Sequence, residues 1–188
     1  MYDHYQGLIF DMDGTLLDTE EGHRKAWDEV LAKYGMKLDL DAVVALNGSP
    51  SWKVAEFVIN SYQVDMDPHS LAQEKFAIVE EIVLDMVKPL PIVEVVKRYR
   101  GQKPMAVGTG SMHGFADRLL RHVGLRDCFT AIVGADDVTN HKPAPDTFLT
   151  CASLMKVPAK ACVVFEDAPL GLQAAKAAGM DAVDVRTL

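Results

Sequence analysis

The chain has 188 residues, of which 49% are hydrophobic and 24% charged, and its formal net charge is −8. These values are typical of a globular protein with one or two domains and a substantial core. The acidic excess argues against a nucleic-acid partner, because phosphate backbones are bound by clustered Lys and Arg. No run approaches the ~20 apolar residues of a membrane span. Because the first residues also lack the pattern of a signal peptide, we expect a cytoplasmic protein.

The first predicted elements are a buried strand over residues 7–10 and the acidic segment Asp11-Met12-Asp13-Gly14-Thr15 that follows it. Helical periodicity then predominates, and helices are predicted over residues 20–34, 40–46, 51–62 and 68–86. From residue 89 onward strands and helices alternate. Strands are predicted over residues 104–107, 131–133, 161–165 and 182–185, and helices over residues 112–123, 145–155 and 170–178.

This order of elements predicts an α/β fold with a doubly wound parallel sheet, because alternating strands and helices pack as parallel strands with helices on both faces. The core domain is expected to comprise residues 1–17 and 85–188. Residues 18–84, here called the helical insert, are expected to form a small α-helical cap domain. The hinges between the two domains are expected near residues 17–18 and 84–87.

Polar residues stand at corresponding places in the predicted strand-and-helix units. Asp11 and Asp13 follow the first strand, and Glu166-Asp167 follows a later one. Thr109-Gly110-Ser111 follows another strand, and Lys142 precedes a helix. Because the carboxyl ends of parallel strands meet at one edge of a sheet, where ligands bind, we expect these residues to form a single site.

Taken singly, these residues have simpler interpretations. The two aspartates also fit an acidic turn that caps a helix, Thr109 and Ser111 fit helix caps, and Lys142 fits a solvated position. Together they supply what phosphoryl transfer needs, namely a carboxylate nucleophile, ligands for Mg²⁺, a cation, and hydroxyl or amide donors. A cation such as Mg²⁺ would also relieve the repulsion between the two neighbouring aspartates.

Four segments of the chain resemble, in the same order, the four motifs of the haloacid dehalogenase superfamily. They are D-x-D-G-T at residues 11–15, Thr109, K-P-x-P-D at residues 142–146, and Glu166-Asp167. The helical insert resembles the small cap of the β-phosphoglucomutase and phosphatase subgroup. Within that subgroup the chain is similar to bacterial sugar-phosphate phosphatases of the fructose-1-phosphate type. Four ordered motifs are far more specific than any one of them.

The resemblance implies roles for the carboxylates. Asp11 attacks phosphorus and carries the phosphoryl group as an aspartyl-phosphate. Asp13 protonates the leaving sugar oxygen and then takes a proton from the attacking water. Mg²⁺ is held by the Asp11 carboxylate, the Asp13 backbone carbonyl and Asp167, and by Glu166 either directly or through water.

The resemblance also implies which residues hold the phosphoryl oxygens. Thr109, followed by the Gly110 and Ser111 amides, binds them at a helix N-terminus. Lys142 neutralises the charge shared between Asp11 and the transferring group.

The helical insert carries the predicted substrate contacts. His23 lies in a segment similar to the D-T-x-x-x-H of the mutases, in which the histidine couples cap closure to the acid/base residue. Asn47, Gly48 and Ser49 form the predicted substrate loop, and Lys53 is the cation after it. The mutases are expected to place an arginine shortly after that glycine. Its absence here favours a phosphatase, because a mutase must hold a second phosphate.

The predicted function is the Mg²⁺-dependent hydrolysis of a small sugar phosphate, fructose 1-phosphate-like or 6-phosphogluconate-like, through an aspartyl-phosphate. The alternative is a β-phosphoglucomutase-type mutase. A non-catalytic domain is disfavoured because every expected catalytic position carries a competent residue, and a dehalogenase because haloacid chemistry needs neither Asp13 nor a metal. We expect a monomer whose partner is a phosphorylated sugar or sugar acid, without nucleic acid or membrane partners.

Overall fold

The structure is a computed structural model that describes residues 1–39 and 46–188. Its strands are β1 (Gly7–Phe10), β2 (Leu17–Asp18), β3 (Lys88–Pro89), β4 (Met105–Gly108), β5 (Ala131–Val133), β6 (Cys162–Glu166) and β7 (Asp181–Asp184). Its α-helices are α1 (Glu20–Ala32), α2 (Ser51–Tyr62), α3 (Pro68–Ile82), α4 (Val93–Tyr99), α5 (His113–His122), α6 (Asp146–Met155) and α7 (Pro169–Ala177). None of the described helices is both long and apolar enough to cross a membrane.

The main sheet is parallel, with the strand order β5-β4-β1-β6-β7. Side chains alternate between the faces of a strand. Leu8 and Phe10 of β1 therefore pack in one hydrophobic cluster with buried residues of α4 and α5. Ile9 packs in a second cluster with buried residues of α6 and α7. Helices thus cover both faces of the sheet, and the predicted doubly wound α/β fold is confirmed.

The helices of the insert pack with one another and onto the core. Helix α3 contacts both α1 and α2. It begins at Pro68 because the Asp67 side chain accepts hydrogen bonds from the first backbone amides. Val30 of α1, Val58 of α2 and Val79 of α3 belong to the same cluster as Phe10 of β1. We propose that residues 18–84 form a cap that opens and closes over the core of residues 1–17 and 85–188.

The structure differs from the predicted elements at several ends. Helix α1 ends at Ala32, before the predicted residue 34, and Gly35 follows with a positive φ of 68°. Helix α3 ends at Ile82, and a 3₁₀ turn continues to Asp85. The short helix α4 was not predicted. The helix predicted over residues 40–46 lies outside the described residues, except for its last position.

A two-stranded ribbon joins the two points at which the chain passes between core and insert. β2 and β3 pair antiparallel, with Leu17 opposite Pro89 and Asp18 opposite Lys88. Strands of two residues are too short to show a periodic pattern, so the sequence did not predict them. The ribbon lies next to both predicted hinges, and the insert is therefore attached to the core at one place.

Candidate active site

Asp11 lies at the carboxyl end of β1, in the middle of the sheet edge. Its backbone N–H donates to the Phe165 carbonyl at 2.9 Å, which extends the pairing of β1 with β6. The residue is 3% exposed, and its Oδ1 accepts a hydrogen bond from Lys142 Nζ at 2.6 Å. Burial raises the pKa of Asp11 well above its usual range, the nearby Glu166 carboxylate raises it further, and Lys142 opposes both. To stay ionised, the Asp11 carboxylate therefore needs more positive charge nearby than Lys142 alone provides.

Lys142 is a buried cation shared by two carboxylates. Its Nζ donates to Asp11 Oδ1 at 2.6 Å and to Glu166 Oε2 at 2.7 Å, and it lies 4.8 Å from the centroid of the Phe148 ring. Burial alone would lower the pKa of this ammonium group, but the two carboxylates raise it above its ordinary value. The two carboxylates therefore stabilise the charged form of Lys142.

Glu166 braces the turn between β6 and α7. Its Oε1 accepts hydrogen bonds from the Asp167 amide at 3.1 Å and the Ala168 amide at 3.0 Å, while Oε2 accepts from Lys142. A Cβ placed on Gly171 would lie 1.8 Å from Oε2, so this position admits only glycine. Both oxygens of Glu166 are thus already engaged, which fits contact with a metal through water, one of its two predicted modes, better than direct ligation.

Three carboxylates form a cluster that fits a divalent cation. One oxygen each of Asp11, Glu166 and Asp167 lies within 4.8 Å of the others. Thr15 Oγ1 donates to Asp167 Oδ1 at 2.8 Å, which orients that carboxylate. A Cβ on Gly14, whose φ is 83°, would lie 2.6 Å from Asp167 Oδ2, so glycine is needed there. Because Mg²⁺ prefers carboxylate oxygens and retains several waters, this donor set suits it.

Asp13 is held by side chains from both the core and the insert. Its Oδ1 accepts from Thr19 Oγ1 at 2.7 Å and lies 3.3 Å from His23 Nε2. Its Oδ2 accepts from Thr109 Oγ1 at 3.3 Å and from Ser111 Oγ at 2.8 Å. Burial favours the neutral form, but the contacts with His23 and the hydroxyl groups outweigh it and hold the pKa of Asp13 well below its usual value.

The Thr109 and Ser111 hydroxyls therefore point at Asp13. The sequence predicted Thr109 and the Ser111 amide as contacts of the phosphoryl oxygens, with helix capping as the alternative for both residues. The loop that carries them is fixed by two aspartates in the turn after β5. Asp136 Oδ1 accepts from the His113 amide at 2.7 Å, and Asp137 Oδ2 lies 2.6 Å from His113 Nδ1. These contacts hold the start of α5, and with it the loop, at the sheet edge.

Lys75 is a site residue that the sequence analysis missed. It is 1% exposed on α3, and its Nζ lies 2.6 Å from His23 Nδ1 and 3.3 Å from Ser51 Oγ. An ammonium group can only donate, so His23 accepts at Nδ1 and carries its proton on Nε2, which faces Asp13. Burial and the neighbouring Lys75 charge lower the pKa of His23, which favours this neutral form. Lys75, His23 and Asp13 thus form a continuous chain from the insert to the core.

Lys75→Met will make the unfolding free energy less dependent on pH. Burial lowers the pKa of Lys75 to about 8 in the folded protein. The unfolded chain keeps its proton up to the ordinary lysine value, so between these values it binds more protons than the folded state. Lys75 therefore makes wild-type stability rise with pH in that interval. The stability difference between the variant and the wild type will shift by about 2 kcal/mol between pH 7 and pH 10 in urea unfolding.

The matched control is Lys37→Met, which replaces an exposed lysine of the insert. This control should follow the pH dependence of the wild type. Equal pH profiles for wild type and Lys75→Met would contradict the lowered pKa.

The site opens into a cavity of about 350 Å³ between core and insert. Asp11, Asp13 and Thr109 line its floor, while His23 and Lys75 line the side of the insert. The predicted substrate loop, Asn47-Gly48-Ser49, also lines the cavity, together with Gly110, Ser111 and Asp167. Two of the predicted substrate residues, Lys53 and Lys142, do not line the cavity. Lys142 lies on Asp11, and the Lys53 Nζ lies 5.7 Å from the centroid of the Trp52 ring.

The substrate loop is closed onto the core. A Cβ on Gly110 would lie 2.7 Å from the Gly48 carbonyl oxygen, and one on Gly48 would lie 3.1 Å from Ala168 Cβ. Gly48 also has a positive φ of 85°, which favours glycine. The two backbones therefore approach each other closely only because neither position carries a side chain.

Gly110→Ala will block this closure and lower kcat/KM by about 100-fold, because small displacements of positioning groups have effects of that size. The free energy of unfolding should change little, since the proposed movement of the cap would relieve the clash without unfolding the chain. Gly114→Ala is the matched control, because an added Cβ there has no neighbour within 4 Å among the described residues. Activity of Gly110→Ala equal to that of the control would contradict a closed catalytic form.

Residues 8–185 match the family of haloacid dehalogenase-like hydrolases. The chain belongs to this family. It is 61% identical over 188 residues to fructose-1-phosphate phosphatase YqaB of Escherichia coli (strain K12), with 100% of both proteins covered. The predicted family, and the similarity to phosphatases of the fructose-1-phosphate type, are therefore confirmed.

Solved structures of haloacid dehalogenase-like enzymes share the fold. β-Phosphoglucomutase from Clostridium difficile superposes with a TM-score of 0.82 at 25% identity, covering 95% of this chain and 83% of that one. CbbY from Rhodobacter sphaeroides in complex with phosphate superposes with a TM-score of 0.83 at 25% identity, covering 95% of this chain and 84% of that one. The haloacid dehalogenase-like fold, with its helical insert, thus extends across nearly the whole chain.

Proposed function

We propose that this chain is a Mg²⁺-dependent phosphatase that hydrolyses small sugar phosphates through an aspartyl-phosphate on Asp11. The observation that carries the proposal is the convergence of Asp11, Asp13 and Asp167 on one cavity, with Lys142 hydrogen-bonded to Asp11. The 61% identity to a fructose-1-phosphate phosphatase supports a sugar monophosphate as substrate. Fructose 1-phosphate and 6-phosphogluconate are the compounds to test first. We place the enzyme in the cytoplasm and expect it to act as a monomer.

In the proposed first step, a carboxylate oxygen of Asp11 attacks phosphorus and the bond from phosphorus to the sugar oxygen breaks. Lys142 holds Asp11 Oδ1, which leaves Oδ2 as the attacking atom. Asp11, Asp167 and the Asp13 carbonyl would hold Mg²⁺, which offsets the charge of the phosphoryl group when it is bound. Fixed positioning beside these charges compensates for the weak nucleophilicity of a carboxylate.

Asp13 is the proposed proton donor to the leaving sugar oxygen and then the acceptor of a proton from water. In the structure its contacts keep it ionised, which suits the second step. We propose that, when the substrate binds, the Thr109 and Ser111 hydroxyls donate to the phosphoryl oxygens instead of to Asp13. Loss of these donors, and the added negative charge, raise the pKa of Asp13 and permit it to act as an acid. Water then attacks phosphorus and releases phosphate and the Asp11 carboxylate.

The acceptor of the phosphoryl group separates this proposal from the mutase alternative. A mutase returns the phosphoryl group to a sugar and must hold a second phosphate in the insert. In this chain Ser49-Pro50-Ser51-Trp52-Lys53 follows Gly48, and the Lys53 ammonium lies against Trp52. The similarity in fold to a β-phosphoglucomutase fits both reactions. The arginine that the mutases are expected to carry after this glycine is replaced here, which favours water as the acceptor of the phosphoryl group.

Phosphorus NMR of the purified protein with Mg²⁺ tests the proposal. Fructose 1-phosphate and 6-phosphogluconate are expected to yield inorganic phosphate. β-Glucose 1-phosphate with a catalytic amount of β-glucose 1,6-bisphosphate serves as the mutase substrate. Formation of glucose 6-phosphate without release of phosphate would overturn the phosphatase proposal.

A further inference from the structure

One face of α1 forms a wall of the active-site cavity. Glu20, His23, Arg24 and Trp27 all line the cavity, and their spacing places them on one side of the helix. His23 lies 3.3 Å from Asp13, and Thr19, directly before Glu20, donates to Asp13 at 2.7 Å, so this face of α1 adjoins the catalytic residues. Glu20 and Arg24 have no part in the proposed chemistry, yet both line the same cavity, and their side chains end in an acceptor and a donor group respectively.

Arg24 is more available to a ligand than Lys75, which also lines the cavity. Lys75 is buried, and its ammonium group already contacts His23 and Ser51. Arg24 has 45% of its side chain exposed, and its contact with Asp28 is loose, at 3.7 Å between Nη1 and Oδ2. Exposed pairs of this kind contribute little and break easily. The guanidinium group can therefore turn from Asp28 to a ligand at small cost.

Glu20 lies four residues before Arg24, one helical turn away on the same face. A carboxylate only accepts hydrogen bonds and a guanidinium only donates them, whereas a sugar hydroxyl does both. The two side chains together therefore match neighbouring hydroxyls of a sugar. A second phosphate at the same place would face the Glu20 carboxylate, and like charges at an interface discriminate against such ligands.

We propose that Glu20 and Arg24 are specificity residues that bind neighbouring hydroxyls of the sugar part of the substrate. The inference rests on the proposed phosphatase function and adds the class of substrate, a monophosphate with several hydroxyl groups and no second phosphate. Arg24 recognises these hydroxyl groups by donating hydrogen bonds, and Glu20 both accepts from them and rejects bisphosphates.

The test compares kcat/KM for three phosphate esters in the Mg²⁺-loaded enzyme. Fructose 1-phosphate carries the neighbouring sugar hydroxyls, 2-hydroxyethyl phosphate lacks them, and fructose 1,6-bisphosphate carries a second phosphate. Arg24→Gln should lower kcat/KM about tenfold for fructose 1-phosphate and leave 2-hydroxyethyl phosphate unchanged. Glu20→Gln should raise the ratio of fructose 1,6-bisphosphate to fructose 1-phosphate about tenfold. Both effects should appear in KM more than in kcat.

Lys25→Gln is the matched control, because Lys25 adjoins Arg24 in α1 but pairs with Glu21 at 2.9 Å, away from this cavity. It should leave all three values unchanged. Equal losses on the long and short substrates in Arg24→Gln would overturn the inference, and so would unchanged ratios in both variants. A wild type that releases phosphate from none of the esters would overturn the proposed function, and with it this inference.

Discussion

Asp11→Asn will abolish phosphate release, with a fall in kcat on the order of 10⁴-fold or more, because an amide cannot form the covalent intermediate. The variant should stay folded. Asn keeps the size of the side chain and removes one of three clustered negative charges, while it loses the ion pair with Lys142. These opposing effects should leave the free energy of unfolding, measured without metal, within about 1 kcal/mol of the wild type.

Asp127→Asn, at an exposed position, is the control for Asp11→Asn and should keep wild-type kcat. Mass spectrometry of acid-quenched reactions provides a second readout. The wild type should show a phosphorylated population that maps to Asp11, and the variant should show none. Turnover retained in Asp11→Asn, or a phosphate found on another residue, would refute the assignment of the nucleophile.

Lys142→Met will both inactivate and destabilise the protein. The lysine is 1% exposed and neutralises two buried carboxylates, at 2.6 Å and 2.7 Å. Removing one partner of a buried ion pair leaves uncompensated charge and typically costs about 3–5 kcal/mol. We expect a loss of this size in urea unfolding without metal, and no measurable phosphatase activity.

The stability loss of Lys142→Met should also depend on pH. Without the lysine, the folded-state pKa of Asp11 rises further above its value in the unfolded chain. The folded state then binds more protons, so the variant should recover stability as pH falls towards 5. Lys160→Met, at an exposed position, is the control and should match the wild type. A deficit in Lys142→Met that is small and constant with pH would mean that Lys142 does not compensate buried charge.

The catalytic floor of the cavity was predictable because its residues follow strands and occur in recognisable motifs. Asp11, Asp13, Thr109 and Asp167 all line the cavity, and Lys142 lies beneath Asp11, as expected from the meeting of strand ends. The helices and strands were predicted to within a few residues wherever the apolar pattern was long. The roles of the five site residues in the reaction remain predictions.

Tertiary contacts within and between the two parts of the chain were not predictable in the same way. Lys75 meets His23 across 52 residues of sequence, and no local pattern specifies that contact. One signal was present, since Lys75 shares its helix face with the buried Leu71, Ile78 and Val79. A charged residue in an apolar stripe is rarely buried without a partner, so this stripe pointed to a specific interaction.

The ribbon of β2 and β3 has a consequence for protein engineering. Because Leu17 lies opposite Pro89 and Asp18 opposite Lys88, the chain leaves the core and re-enters it at adjacent points. A foreign cap could therefore be grafted with both junctions inside this one ribbon, without altering a strand of the main sheet. Specificity could then be exchanged as a module between related enzymes, while the phosphoryl-transfer machinery stays in place.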